Sequence, residues 1–187
     1  MHNDIKKAVE IMRKGGVILY PTDTIWGLGC DATNPKAVER IFHIKQRAES
    51  KAMLVLMGSE AELERYVDNV PEVAYNLIEV ADKPLTIIYD KAHGLAQNLL
   101  AEDGSVGIRI PKDMFCKQLC QQMRKPIVST SANVSGSSSP CNFAEIDDAI
   151  KNAVDYVVEY SQGDTTSNNP SSVIKLSSNG VIKIIRQ

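Results

Sequence analysis

The stretch YPTDTIWGLGCDA, residues 20–32, decides how this chain is read. It follows a β-type run, residues 17–20, that stops at Pro21, whose ring fixes φ and removes a backbone donor. Thr22, Asp23, Thr24, Trp26, Gly27 and Gly29 then crowd into a few positions. Gly27 and Gly29 permit close backbone approach or a positive φ. Thr22 and Thr24 offer hydroxyls to a polar ligand. Two readings stay open: a strand–loop–strand corner with Trp26 anchored in the core, and a loop that shapes a ligand site. No G-x-G-x-x-G or Walker A pattern occurs, so neither a dinucleotide fingerprint nor a P-loop is supported.

Outward from this stretch, helical and strand patterns alternate. Ile5, Ala8, Val9 and Met12 have the spacing of one helix face, predicting a helix over 4–14 capped by Asp4 and ended by Gly15–Gly16. Asn34 before Pro35 predicts a second helix over 35–46. Further helices are expected at 60–66, 73–80, 114–123 and 147–154. Strands are expected at 52–57, 85–89, 106–110 and 127–131. Strands at 173–176 and 181–185 flank an Asn179–Gly180 turn. The spacing is not that of strict βαβ units. It fits an α+β (α/β-like) fold, a twisted mixed parallel/antiparallel sheet flanked by helices. A polar stretch, residues 162–169, has too few apolar side chains to pack and reads as a loop.

The chain has 187 residues, 43% of them hydrophobic, which predicts one domain over residues 1–187. Its 21 Lys+Arg against 23 Asp+Glu exclude a domain that is basic throughout. The charge is uneven, however. Residues 36–51 carry five Lys/Arg against two Glu, whereas residues 143–164 carry six acids against Lys151. A focused positive cleft is compatible with that pattern. No run approaches a membrane span, and the N-terminus is not a signal peptide. Cys30, Cys116, Cys120 and Cys141 form no C-x-x-C pair, and His2, His43 and His93 are far apart. Reduced thiols in the cytoplasm, without a protein metal site, are the expectation.

Three more runs could carry chemistry. In IKQRAESK, residues 44–51, Lys45, Arg47 and Lys51 close a helix and enter a loop. They suit either a solvated cap on the helix dipole or a polyphosphate. In GSVGIRIP, residues 104–111, Arg109 stands among apolar strand neighbours. A buried guanidinium needs an anion, either an internal Asp or a ligand carboxylate. In PIVSTSANVSG, residues 126–136, a strand runs into Ser129, Thr130, Ser131 and Asn133. These donors could cradle an anion or form an ordinary polar turn.

Taken in order, PTDTIWGLGCDA, KQR…K, PLT, GIRIP, STSAN, PSSVI and IIRQ resemble the YrdC-like family, the threonylcarbamoyl-AMP synthases, in their short single-domain form. The resemblance implies a YrdC/RibB-like fold with a concave positive cleft. It implies that L-threonine, bicarbonate and ATP, with Mg²⁺, give threonylcarbamoyl-AMP and pyrophosphate. It also implies a downstream transferase that carries the threonylcarbamoyl group to adenosine 37 of tRNA. Thr24, Arg109, Ser129 and Ser172 correspond to the threonine pocket. Lys45, Arg47, Lys51, Ser105, Ser131, Asn133, Ser139 and Arg186 correspond to the ATP side, with Lys45, Arg47 and Arg109 as the catalytic set. The chain departs from the family pattern at Trp26, Gln46, Ala48, Ala52, Leu56 and Asp82–Lys83. Rival functions are a double-stranded-RNA or ribosome-assembly module using the same cleft, transfer of an unsubstituted carbamoyl group, and a silent paralogue that keeps the fold.

Overall fold

In a computed structural model, residues 1–46, 53–166 and 169–187 are described. Among them nine strands form one mixed sheet: β1 (Ile18–Tyr20), β2 (Gly27–Gly29), β3 (Leu54–Leu56), β4 (Leu85–Tyr89), β5 (Val106–Arg109), β6 (Ile127–Ser131), β7 (Tyr156–Val157), β8 (Ser172–Leu176) and β9 (Ile182–Arg186). Their spatial order is β7-β1-β2-β6-β3-β5-β4-β8-β9. The β1/β7, β3/β5 and β4/β8 pairs are parallel and the remaining pairs antiparallel.

Five α-helices accompany the sheet: α1 (His2–Arg13), α2 (Pro35–Lys45), α3 (Glu72–Val80), α4 (Met114–Met123) and α5 (Asp148–Ala153). Asn34 caps α2, its side chain accepting from the Lys36 and Ala37 N–H groups, with Pro35 in the first turn. Asp113 caps α4 through the Cys116 N–H.

Sheet side chains alternate between two faces. One face, including Val55, Ile87, Tyr89, Val106, Ile108, Val128 and Leu176, joins Ala37, Val38, Ile41 and Phe42 of α2 with Ala74 of α3 and Ile150 of α5 in the larger core. On the other face, Ile18, Tyr20, Leu56 and Ile127 meet Ile5, Ala8, Val9 and Met12 of α1 and Phe115, Leu119 and Met123 of α4 in a smaller core. These helices roof only part of that second face. The rest is left bare and becomes a cavity floor.

Several local expectations are corrected. Asp4 does not cap α1, which starts at His2. Asp4 Oδ1 instead accepts from Tyr156 Oη (2.7 Å) and the Glu159 N–H (3.0 Å), tying the helix to β7 and to the chain just after it. Residues 60–65 form a 3₁₀ rather than an α-helix, and β7 was not foreseen, because two residues carry no alternation. The expected strand over 52–57 narrows to Leu54–Leu56, and Ala52 lies outside the described residues. At the final hairpin Gly180 takes φ +85°, as the Asn179–Gly180 pair predicts.

Candidate active site

The bare part of the sheet floors a cavity of about 410 Å³. Thr24, Ser105, Arg109, Ser129, Ser131, Ser139 and Arg186 line it, bringing together seven of the twelve residues that the sequence singles out. The described lining residues include two guanidinium groups and no carboxylate.

One cross-strand row organises the floor. Arg109 on β5 opposes Thr86 on β4, Thr86 opposes Val173 on β8, and Val173 opposes Arg186 on β9. All four residues line the cavity. Three strand spacings separate the two arginine backbones, about 14 Å. A second row, Ser129–Leu54–Gly107–Ile88, runs beside the first. At Gly107 a Cβ would stand 3.2 Å from the Thr86 methyl, so the missing side chain keeps this part of the floor low.

Arg186 reaches the row through a β-bulge. Ile174 opposes Ile184, but Val173 opposes Arg186, which leaves Ile185 as an extra residue. Simple alternation from Ile182 and Ile184 would give the place opposite Val173 to residue 185. The bulge passes it to Arg186, whose Nε and Nη2 donate to the Ser171 carbonyl at 3.0 and 2.7 Å.

Arg109 is 3% exposed. Its Nη1 donates to Thr24 Oγ1 at 3.0 Å, and its Nη2 lies 3.2 Å from Asp23 Oδ1. The internal anion left open by the sequence is therefore Asp23, whose Oδ2 also accepts from the Lys112 N–H. Arg109 Nε has no hydrogen-bond partner among the described residues. The PTDT loop thus holds one edge of the guanidinium through consecutive residues. Behind it, burial raises the Asp113 carboxyl above its usual range, and the nearby Asp23 charge adds to the effect.

The remaining site residues are placed differently. Lys45 is 1% exposed and is not among the residues lining the cavity. Its Nζ donates to the Ser131 carbonyl (2.5 Å), the Asn133 carbonyl (2.7 Å) and Asn133 Oδ1 (3.4 Å). Its own carbonyl accepts from the Ser135 N–H. The ammonium expected on the phosphates thus stands behind the loop after β6 and holds it in shape. Asn133 is also off the cavity wall, bonded to Ser131 Oγ and to the Val134 and Ser137 carbonyls. Ser105 lies on the wall, its hydroxyl donating to Asp103 Oδ1. Ser172 does not line the cavity, whereas Ser171 and Val173 on either side do, as period-two alternation requires. Arg47 and Lys51, with Ala48, lie outside the described residues.

The thiols stand apart from this site. Cys30, Cys116 and Cys120 are buried, and burial pushes all three thiols up. Cys141 is exposed. None of the four lines the cavity. Among the described residues no helix is long and apolar enough to cross a membrane.

The family model described as "Telomere recombination", for the Sua5, YciO and YrdC proteins, matches residues 10–187. The chain belongs to the Sua5/YciO/YrdC family. It is 32% identical over 181 residues to a threonylcarbamoyl-AMP synthase of Pseudoalteromonas translucida, covering 95% of both chains. It is 34% identical over 184 residues to a putative threonylcarbamoyl-AMP synthase of Methanocaldococcus jannaschii, covering 96% of this chain and 85% of the relative. E. coli YciO superposes with a TM-score of 0.85 at 30% identity, over 100% of this chain and 90% of its own. P. abyssi Sua5 complexed with L-threonine superposes with a TM-score of 0.82 at 26% identity, covering 92% of this chain. This chain spans 50% of that longer one.

The mixed sheet expected from the family resemblance is the one observed. Among the described residues, the PTDT, PLT, GIRIP, STSAN, PSSVI and IIRQ segments meet around the cavity, and sequence reasoning missed three residues there. Asp23 sits inside PTDT, Thr86 inside PLT and Ser171 inside PSSVI. The motifs marked the right segments. Which hydroxyl of PSSVI faces the cavity depends on strand register, which composition does not reveal.

Proposed function

We propose that this chain is an L-threonylcarbamoyladenylate synthase, a nucleotidyltransferase of the cytoplasm formed by one domain over residues 1–187. The observation that carries the proposal is the row from Arg109 to Arg186: two guanidinium groups at opposite ends of one cavity wall that holds no acid among the described residues. A small amino acid and a nucleotide each need an anion grip, and they must meet between the two. Arg109, oriented by Asp23 and Thr24, suits the carboxylate of L-threonine. Ser129 borders the same end. Arg186, Ser105, Ser131 and Ser139 suit the phosphates of ATP, with Arg47 and Lys51 completing the cationic side. Lys45 and Asn133 serve by fixing the end of β6, which carries Ser131, and the loop that follows it.

The threonine amine adds to bicarbonate, forming a C–N bond and releasing water. The resulting carbamate oxygen attacks the α-phosphorus of ATP. The bond to the bridging oxygen breaks, and pyrophosphate leaves. The protein contributes alignment and charge neutralisation, with no covalent intermediate. The described cavity wall offers no carboxylate cage for Mg²⁺, so the ion is proposed to arrive on the nucleotide phosphates, and no step is routed through it. A downstream transferase would carry the threonylcarbamoyl group to adenosine 37 of tRNA.

The test is incubation with ATP, bicarbonate and labelled L-threonine, reading the adenylate by mass spectrometry. Threonylcarbamoyl-AMP with stoichiometric pyrophosphate is the expected result. Folded protein that yields no adenylate would overturn the proposal.

A further inference from the structure

The sheet ends differently at its two edges. At one edge β7 is two residues long, and its Tyr156 is tied down by the hydroxyl bond to Asp4 and by Lys7 Nζ, 4.4 Å from the ring centroid. At the other edge β9 is five residues long and exposed throughout. Its isoleucines Ile182, Ile184 and Ile185 are 44%, 60% and 51% exposed. An exposed apolar edge strand is a template for pairing with another strand.

The last hairpin decides which backbone groups β9 offers. The Ser177 N–H donates to the Val181 carbonyl at 3.0 Å, so Ser177 and Val181 form a hydrogen-bonded pair. Antiparallel pairs alternate, which makes Lys175 and Lys183 the next hydrogen-bonded pair. The peptide groups of Ile182 and Ile184 therefore point away from β8, and no described residue bonds them. The side chains agree. Ile184 opposes Ile174 and Ile182 opposes Leu176, so the two continue the apolar face of the larger core out into solvent.

We propose that β9 pairs antiparallel with β9 of a second copy of this chain, about a two-fold axis at Ile184; this goes beyond the synthase reading and does not depend on it. A two-fold interface uses the same patch twice, so the patch must complement itself. Registers that join outward-facing peptide groups are centred on Ile182, Lys183 or Ile184. The one centred on Lys183 sets two ammonium groups directly opposite each other, which is destabilising. The one centred on Ile182 places Ile184 against Gly180 of the turn, where φ is +85° and the strand has ended. Centred on Ile184, the N–H and C=O of one isoleucine meet those of its copy, and Lys183 faces Ile185. A row of four isoleucines, Ile174 and Ile184 from each copy, then crosses the joint. Such β-branched side chains pack well beside one another on a pleated surface. The bulge just beyond Ile184 keeps the paired segment short, so the dimer is a reversible one.

The experiment is sedimentation velocity on the full chain from about 1 to about 500 µM, the range in which small interfaces dissociate. Wild-type protein is expected to shift from monomer to dimer within that range. Ile184→Lys brings two ammonium groups together on the axis and should stay monomeric, its melting temperature at low concentration matching wild type. Ile184→Val should dimerise as wild type does. Ile184→Cys, made with Cys141→Ser to remove the other exposed thiol, reads the register. Opposed residues of a hydrogen-bonded pair have Cα atoms about 5.5 Å apart, within disulfide reach, so mild oxidation should give a covalent dimer. Ile182→Cys in the same background should give none, because its two copies stand about 14 Å apart in this register. Wild-type protein that is monomeric throughout overturns the proposal. So does a dimer that Ile184→Lys leaves intact, which would place the contact on another surface. Crosslinking through position 182 and not 184 overturns it as well, since the axis would then lie elsewhere.

Discussion

Arg109 and Arg186 face one cavity from the two ends of a single cross-strand row, with Thr86 and Val173 between them. Their settings differ. Arg109 is buried with Asp23 beside it, whereas Arg186 is exposed at the sheet edge and holds a backbone carbonyl. The first is a fixed fork and the second an anchored but accessible charge, so the two should fail in different ways.

Arg109→Ala should remove the carboxylate grip. Truncating one member of a buried charge pair costs about 2–5 kcal/mol, so L-threonine binding should weaken by at least about thirtyfold. Calorimetry with L-threonine alone checks this. Arg109→Lys keeps the charge but not the planar fork and should recover only part of the loss. Wild-type threonine affinity in Arg109→Ala would sink the assignment. Thermal stability should fall as well, since Asp23 loses its cation.

Arg186→Ala should act on the other substrate. The expected result is a rise in the KM for ATP of about 10–100-fold, the worth of a charged hydrogen bond, with L-threonine binding preserved. Comparing both affinities in the two arginine variants tests the division of the cavity. A variant that lost threonine and ATP binding together would argue against separate ends.

Lys45→Met tests the strut. Methionine approximates the length of the side chain but donates nothing, so the carbonyls of Ser131 and Asn133 lose a partner. The expected cost is about 1–3 kcal/mol of stability. That corresponds to a melting temperature lower by about 2–4 °C for each kcal/mol. The loss should appear in protein without substrates. A phosphate-binding role alone would leave the substrate-free melting temperature unchanged.

How much of this was legible beforehand depends on what each feature needs. The α2 start was readable because Asn34 and Pro35 act locally. The burial of Arg109 was readable because a lone charge in an apolar strand has few alternatives. Its partner Asp23 was not, since the ion pair spans β5 and the loop before β2. Arg186 could be flagged by family resemblance, but its approach depends on the extra residue Ile185, and a bulge leaves no mark in hydrophobic alternation. Lys45 was readable as a cation near the site. That it props the loop from behind follows from the placement of β6 beside α2, a tertiary fact. Ser171 and Ser172 are chemically identical, and only register with β4 decides between them.

Asp103 links the cavity to pH. Lys175 Nζ lies 2.8 Å from Asp103 Oδ2, and Oδ1 accepts from both the hydroxyl and the N–H of Ser105. The Lys175 contact, followed by the two Ser105 bonds, holds the Asp103 carboxyl down at about 2, against an ordinary value of 3.8. The folded value lies below the unfolded one, so unfolding takes up a proton in this window. The stabilisation is therefore present above about pH 4 and is lost as pH falls toward 2. Asp103→Asn should melt below wild type near neutral pH, and the gap should close as the solution is acidified. A gap independent of pH would mean that Asp103 acts by shape rather than charge. Because Ser105 lines the cavity, the same variant should also raise the KM for ATP at neutral pH, while L-threonine binding at Arg109 stays intact.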